Sequence, residues 1–138
     1  MKTLYFVALC ILFVSSLNLD GYQIINVESS QENHLHIVQA AQPFALRLVA
    51  NPTTGYDWYI DNESELSQEG SIDFIRTASS NGGEYSSDLK LGSVGIGGHT
   101  YFKFNGKNLK GRFEVRLVYR RPWEKEGIRK IGVAIFLE

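Results

Sequence analysis

The sequence predicts an all-β domain, and three observations carry that prediction. Short segments alternate apolar and polar residues, as strands with one buried face do. Those segments are rich in β-branched and aromatic side chains, with turn-forming residues between them. No stretch of ten or more residues keeps a 3.6-residue apolar period, so no long amphipathic helix is expected. The chain has 138 residues, 43% hydrophobic and 21% charged. That is enough for one domain with its own core, and too apolar for disorder.

The elements follow in order. Met1, Lys2 and Thr3 precede an unbroken apolar run of 11 residues, Leu4 to Val14. One lysine followed by such a run is the pattern of a signal peptide, and the run is too short to span a bilayer. Residues 1–16 are therefore expected to be removed, which leaves a domain of residues 17–138 routed to the secretory pathway. Cys10 is the single cysteine and lies in that run, so the mature domain holds no thiol and no disulfide.

Tyr22 to Val27 and His34 to Val38 read as short strands. Phe44 to Ala50 puts Phe44, Leu46 and Leu48 on one face and Ala45 and Arg47 on the other. Asp57 to Ile60 follows a turn, and Ile72 to Thr77 is another short strand. Tyr101 to Phe104 pairs Phe102 with Phe104 across Lys103. Arg112 to Tyr119 is the clearest case, with Phe113, Val115, Leu117 and Tyr119 facing one way. Ile131, Val133, Ile135 and Leu137 repeat the pattern to the end. Asn62 to Ser71 and Ser79 to Ser87 are polar and read as loops. About seven or eight such strands suggest an immunoglobulin-like antiparallel β-sandwich, although the Cys…Trp…Cys hallmark of antibody domains is absent.

The net charge of −1 excludes a strongly basic or acidic protein. Charge is nonetheless uneven. Asp57 to Asp73 holds six acids and no base, while Tyr101 to Lys130 holds ten bases and three acids. Solvated strand faces and a functional basic face both account for this. Asn62-Glu63-Ser64 is the one usable glycosylation sequon, because proline blocks Asn51-Pro52-Thr53.

Signs of catalysis are lacking. There is no G-x-S-x-G elbow, no phosphate-binding loop and no H-E-x-x-H. His34 and His36 share a strand face, either as a metal pair or simply exposed. The expectation is a protein that is not an enzyme and takes no cofactor or metal.

Three connections stand out instead. Asn51 to Trp58 combines a φ-fixing Pro52, a permissive Gly55 and small polar threonines. Gly92 to Gly98 holds four glycines in seven residues, which suits close backbone approach. Tyr119 to Glu124 carries arginine, tryptophan and tyrosine, the types most enriched at binding hot spots. Its Trp123 is either exposed or folded back on the core. In an immunoglobulin-like order these are the B–C, D–E and F–G loops, which emerge at one end.

On these residues the sequence resembles the chagasin family of cysteine-protease inhibitors. The family signatures N-P-T-T-G-Y-x-W, G-x-G-G and R-P-W stand here as Asn51 to Trp58, Gly95 to Gly98, and Arg121-Pro122-Trp123. The resemblance implies a reversible, tight-binding inhibitor of papain-like cysteine proteases whose three loops wedge into the catalytic cleft. It implies a protease-binding set of Asn51, Pro52, Thr53, Thr54, Gly55 and Tyr56, then Gly95, Gly97 and Gly98, then Arg121, Pro122 and Trp123. Thr53, Thr54 and Gly55 would face the catalytic centre, with the other two loops flanking it. The expected form is a monomer, secreted or held in a lysosome-like vesicle, without nucleic acid and without a stable membrane span. The alternative is an immunoglobulin-like adhesion or carbohydrate-binding module that stacks sugars on Tyr56, Tyr59 and Trp123. Nucleic-acid binding by the basic stretch conflicts with a signal peptide, and a hydrolase ranks behind both.

Overall fold

A computed structural model of the protein describes residues 19–27, 35–39, 42–68, 72–87, 97–106 and 111–138. Residues 1–16, read above as a signal peptide, and His34, Gly95 and Ile96 lie outside the described residues. The strands are β1 (Gln23–Val27), β2 (Leu35–Val38), β3 (Phe44–Ala50), β4 (Asp57–Ile60), β5 (Asp73–Ile75), β6 (Glu84–Ser87), β7 (Gly98–Asn105), β8 (Gly111–Arg120) and β9 (Arg129–Leu137). A short helix α1 spans Glu63–Gln68, and Pro52–Thr54 form one 3-10 turn.

Two sheets result. One runs β1-β3-β7-β5, with β6 pairing the first half of β7. The other runs β2-β9-β8-β4. The alternating apolar residues meet between them. Phe44, Leu46, Phe102 and Phe104 are fully buried from the first sheet, and Val115, Leu117, Ile135 and Leu137 from the second. Burying each such side chain contributes about 1.5–3 kcal/mol. Phe44 and Phe104 stack with centroids 5.2 Å apart, which ties β3 to β7.

The all-β sandwich matches the sequence reading, and three details differ. The sheets are mixed, because β1 runs parallel to β3 and β2 parallel to β9. Alternation reports a strand's two faces and carries no information on its neighbour's direction. β6 forms within the segment read as loop from Ser79 to Ser87. Its Glu-Tyr-Ser-Ser sequence lacks apolar alternation, and it is held by its ladder to β7. Helix α1 forms within the segment Asn62 to Ser71, also read as loop. Six residues are too few to show an apolar period, and the helix buries Leu66.

Asn62 explains where α1 sits. It is buried at 3% exposure, immediately before the helix. Its Nδ2 donates to the Glu114 carbonyl at 2.8 Å and to the Glu65 carboxylate at 3.2 Å. Its Oδ1 accepts the Arg116 amide at 2.9 Å. The side chain thus bridges α1 to β8, and the sequon nitrogen is occupied inside the fold. Asn62→Ala strands the Arg116 N–H and Glu114 C=O, each costing about 1–3 kcal/mol when buried. Denaturant unfolding should therefore show a loss of about 2–4 kcal/mol. A loss under 0.5 kcal/mol would mean the bridge is incidental.

Two acids of the acidic stretch find bases in space. Glu63 pairs with Arg76 at 2.6 Å, and Glu65 with Arg116 at 3.0 Å. Both pairs are well exposed, so they balance local charge more than they stabilise the fold.

Candidate functional site

Strand register places the three singled-out connections at one end of the sandwich. In the first sheet Ala50 pairs with Gly98, and Gly98 also pairs with Ser87. In the second sheet Asp57 pairs with Arg120, and Tyr119 with Arg129. These are the strand termini that flank connections 51–56, 88–97 and 121–128. The β3–β4 connection crosses between the sheets and so bridges their two edges.

That first connection is rigid by construction. Pro52–Thr54 wind one 3-10 turn, closed by Thr54 N–H to Asn51 O at 3.2 Å and Gly55 N–H to Pro52 O at 2.9 Å. Gly55 then takes φ +85°, the left-handed region that disfavours side chains. The Thr53 hydroxyl donates to Asn51 Oδ1 at 2.6 Å, and the Thr54 hydroxyl to Asn51 O at 2.8 Å. Thr53, Thr54 and Gly55 are exposed at the tip, while Asn51, Pro52 and Tyr56 are half-buried at its base.

The third connection leans on the first through stacked side chains. Tyr56 stacks on Tyr119 at 5.6 Å, and Trp58 lies against Tyr119 at 4.9 Å. The Arg121 guanidinium sits 4.5 Å from the Tyr56 ring centre and 5.8 Å from that of Trp123. Each such cation–π contact is worth about 0.5–2 kcal/mol. Arg120 covers Tyr59 at 3.7 Å and donates to the carbonyls of Arg121 and Pro122, which fixes the turn. Trp123 stands 74% exposed beside the exposed Pro122, so it is not folded back on the core. Trp58 is in the core, with its indole N–H donating to Val49 O at 2.9 Å.

The glycines work at close quarters within the chain. A Cβ on Gly98 would overlap the Ser86 carbonyl oxygen, and one on Gly97 would press on Ala50 O at 3.1 Å. Gly98 is buried and Gly97 half-buried, so both set the course of the β6–β7 connection; Gly95 lies outside the described residues. Gly98→Ala forces β6 from β7 and should cost about 2–3 kcal/mol in denaturant unfolding. An unchanged midpoint would show that the strands have room to spare.

At the foot of the site, burial pushes the Asp57 carboxyl above its ordinary range. Hydrogen bonds from the Trp58 N–H and the Thr100 hydroxyl act in the opposite direction. Among the described residues, no group of three or more His, Cys, Asp or Glu could hold a metal, and no helix is long and apolar enough to cross a membrane.

Residues 37–135 match the chagasin family peptidase inhibitor I42. The chain belongs to the chagasin family. That family is one of inhibitors and not of enzymes. The chain is 38% identical over 77 residues to amoebiasin-1 of Entamoeba histolytica, covering 55% of this chain and 62% of that relative. The match thus spans less than two thirds of the relative's length.

Two solved structures share the fold. The crystal structure of the cysteine protease inhibitor EhICP2 from Entamoeba histolytica has a TM-score of 0.62 and 18% identity, covering 85% of this chain and 96% of that one. The solution structure of amebosin has a TM-score of 0.54 and 22% identity, covering 85% of this chain and 98% of that one. At these identities the likeness speaks to the fold. Within this chagasin-family chain the sugar-stacking alternative loses two platforms, since Tyr56 and Tyr59 are half-buried with a guanidinium over each ring.

Proposed function

We propose that this chagasin-family protein is a reversible, tight-binding inhibitor of papain-like cysteine proteases, acting through the three connections as one wedge. The observation that carries the reading is their convergence. The N-P-T-T-G tip and the R-P-W turn are braced against each other, with Gly97 and Gly98 beside them. A tip already held by its own hydrogen bonds has little ordering cost on insertion, which raises affinity.

Thr53, Thr54 and Gly55 enter the cleft at the catalytic centre. Gly95, Gly97 and Gly98 carry the connection along one wall, and Arg121 and Trp123 lie on the other. Asn51, Pro52, Tyr56 and Pro122 form the frame. The tip holds no nucleophile or electrophile, so binding is non-covalent. An interface of about 1,600 Å² is enough for tight inhibition. Residues 1–16 direct the chain into the secretory pathway, and residues 17–138 act there as a monomer, in a vesicle or outside the cell.

Steady-state inhibition of papain and several cathepsin-type proteases tests the reading. The expected result is stoichiometric inhibition, with activity recovered on dilution. No inhibition of any of them at micromolar concentration overturns it.

A further inference from the structure

A groove of about 540 Å³ opens beside the wedge, between Asn51 and Gly98 on one side and Tyr119 and Arg129 on the other, with Trp58 lining it. It is continuous with the inhibitory end, since Asn51 begins the first connection and Arg129 follows the third. Exposed apolar residues stand at and near it: Val49, which lines the groove, is 70% exposed, and Ile128, next to Arg129 in the chain, is 66% exposed. Neither residue belongs to a family signature.

The polar groups around it are largely committed. Val49 O takes the Trp58 indole N–H. Asn51 Oδ1 takes the Thr53 hydroxyl. His99 Nδ1 lies 3.3 Å from the Arg47 guanidinium. Arg120 is bound to carbonyls, and Arg121 faces Glu124 at 3.9 Å. Arg129 differs from them. It lies 5.7 Å from the Trp58 ring centre, and among the described residues it has no hydrogen bond or ion pair through its guanidinium. An exposed arginine lining a groove is a ready partner for a carboxylate, because its planar fork binds both oxygens.

We propose that this groove is a second docking site for the target protease, receiving an acidic side chain that stands beside the protease's catalytic cleft. Val49 and Ile128 pack against apolar atoms flanking that carboxylate. The signature loops then bind the shared features of the cleft, and Arg129 selects among proteases by a surface charge in which they differ. This rests on the function proposed above.

The test compares the full chain with Arg129→Gln, Arg129→Glu and Arg129→Lys on a panel of papain-like proteases, at low and high salt. For at least one protease that the parent inhibits tightly, Arg129→Gln should weaken inhibition about 5- to 20-fold, and Arg129→Glu further. Arg129→Lys keeps the charge without the planar fork and should recover part of the loss. The parent's inhibition should weaken with salt more steeply than that of Arg129→Gln. Arg129→Gln and Arg129→Glu within twofold of the parent on every protease would overturn the second site while leaving the wedge intact. So would a parent whose inhibition weakens with salt no more steeply than that of Arg129→Gln, which would mean that the side chain merely covers Trp58. A parent that inhibits nothing would remove the wedge and this site together.

Discussion

Trp123→Ala is expected to weaken inhibition of papain-like proteases about 30- to 700-fold, the equivalent of about 2–4 kcal/mol for truncating a hot-spot aromatic. The indole is 74% exposed, and its recorded ring contact is with the Arg121 guanidinium at 5.8 Å. Such exposure leaves the indole available for burial by a partner, and tryptophan is among the types most enriched at hot spots. The turn beneath it does not depend on the indole. Arg120 holds the carbonyls of Arg121 and Pro122, and the Glu124 N–H bonds to Arg121 O at 3.1 Å. The variant should therefore melt with the parent while losing affinity. Inhibition titrations beside thermal melting separate the two quantities. A change in the inhibition constant below threefold would remove Trp123 as an anchor.

Thr54→Arg should be more severe, with inhibition lost by two orders of magnitude or more. The substitution acts twice. It deletes the hydroxyl that donates to Asn51 O at 2.8 Å and accepts the Tyr56 N–H at 3.4 Å, loosening the turn. It also carries a long cation into the position that the proposed wedge gives to Thr54 at the catalytic centre. Burying an unpaired charge costs about 3–5 kcal/mol, or roughly 150- to 5,000-fold. Thr54→Ser keeps the hydroxyl and should stay within about threefold of the parent. Parent-like inhibition by Thr54→Arg would mean that the tip does not enter the cleft.

Much of the fold was legible because its long strands each bury one face. β8 and β9 alternate most cleanly, and the residues the pattern put in the core of β3 and β7 are buried too, although Ala45, Tyr101 and Val118 are buried outside the pattern and Val49 and Phe136 are exposed. β6 was not legible, since an edge strand of Glu-Tyr-Ser-Ser is held by backbone pairing that leaves no mark on composition. Nor was α1, a helix of six residues whose placement depends on Asn62 reaching β8. The same residue read as a free sequon, because burial of a polar side chain 52 positions from its partner has no local signature.

The candidate site divides in the same way. The motifs were visible as Pro, Gly, Thr, Arg and Trp in fixed order, and strand counting already put the loops at one end. Arg129 was not visible. It is one of ten bases in a basic stretch, and nothing local sets it apart from Arg120 or Arg121. Their contacts do: Arg120 and Arg121 engage carbonyls and Glu124 within their own turn and cover Tyr59 and Tyr56, whereas Arg129 lies over Trp58.

By family resemblance the sequence named the residues of the proposed wedge, and by itself it determined the sandwich and the stiffness of the Asn51–Gly55 tip. These follow from short-range physics: alternation, a proline's fixed φ and a glycine's positive φ. The tertiary structure decided the parallel pairing of β1 with β3 and of β2 with β9, the burial of Asn62 and Gly98, the exposure of Trp123 and the lack, among the described residues, of a hydrogen-bond or ion-pair partner for the Arg129 guanidinium. Each of those depends on which distant residues arrive beside it, and the chain acquires those neighbours only by folding.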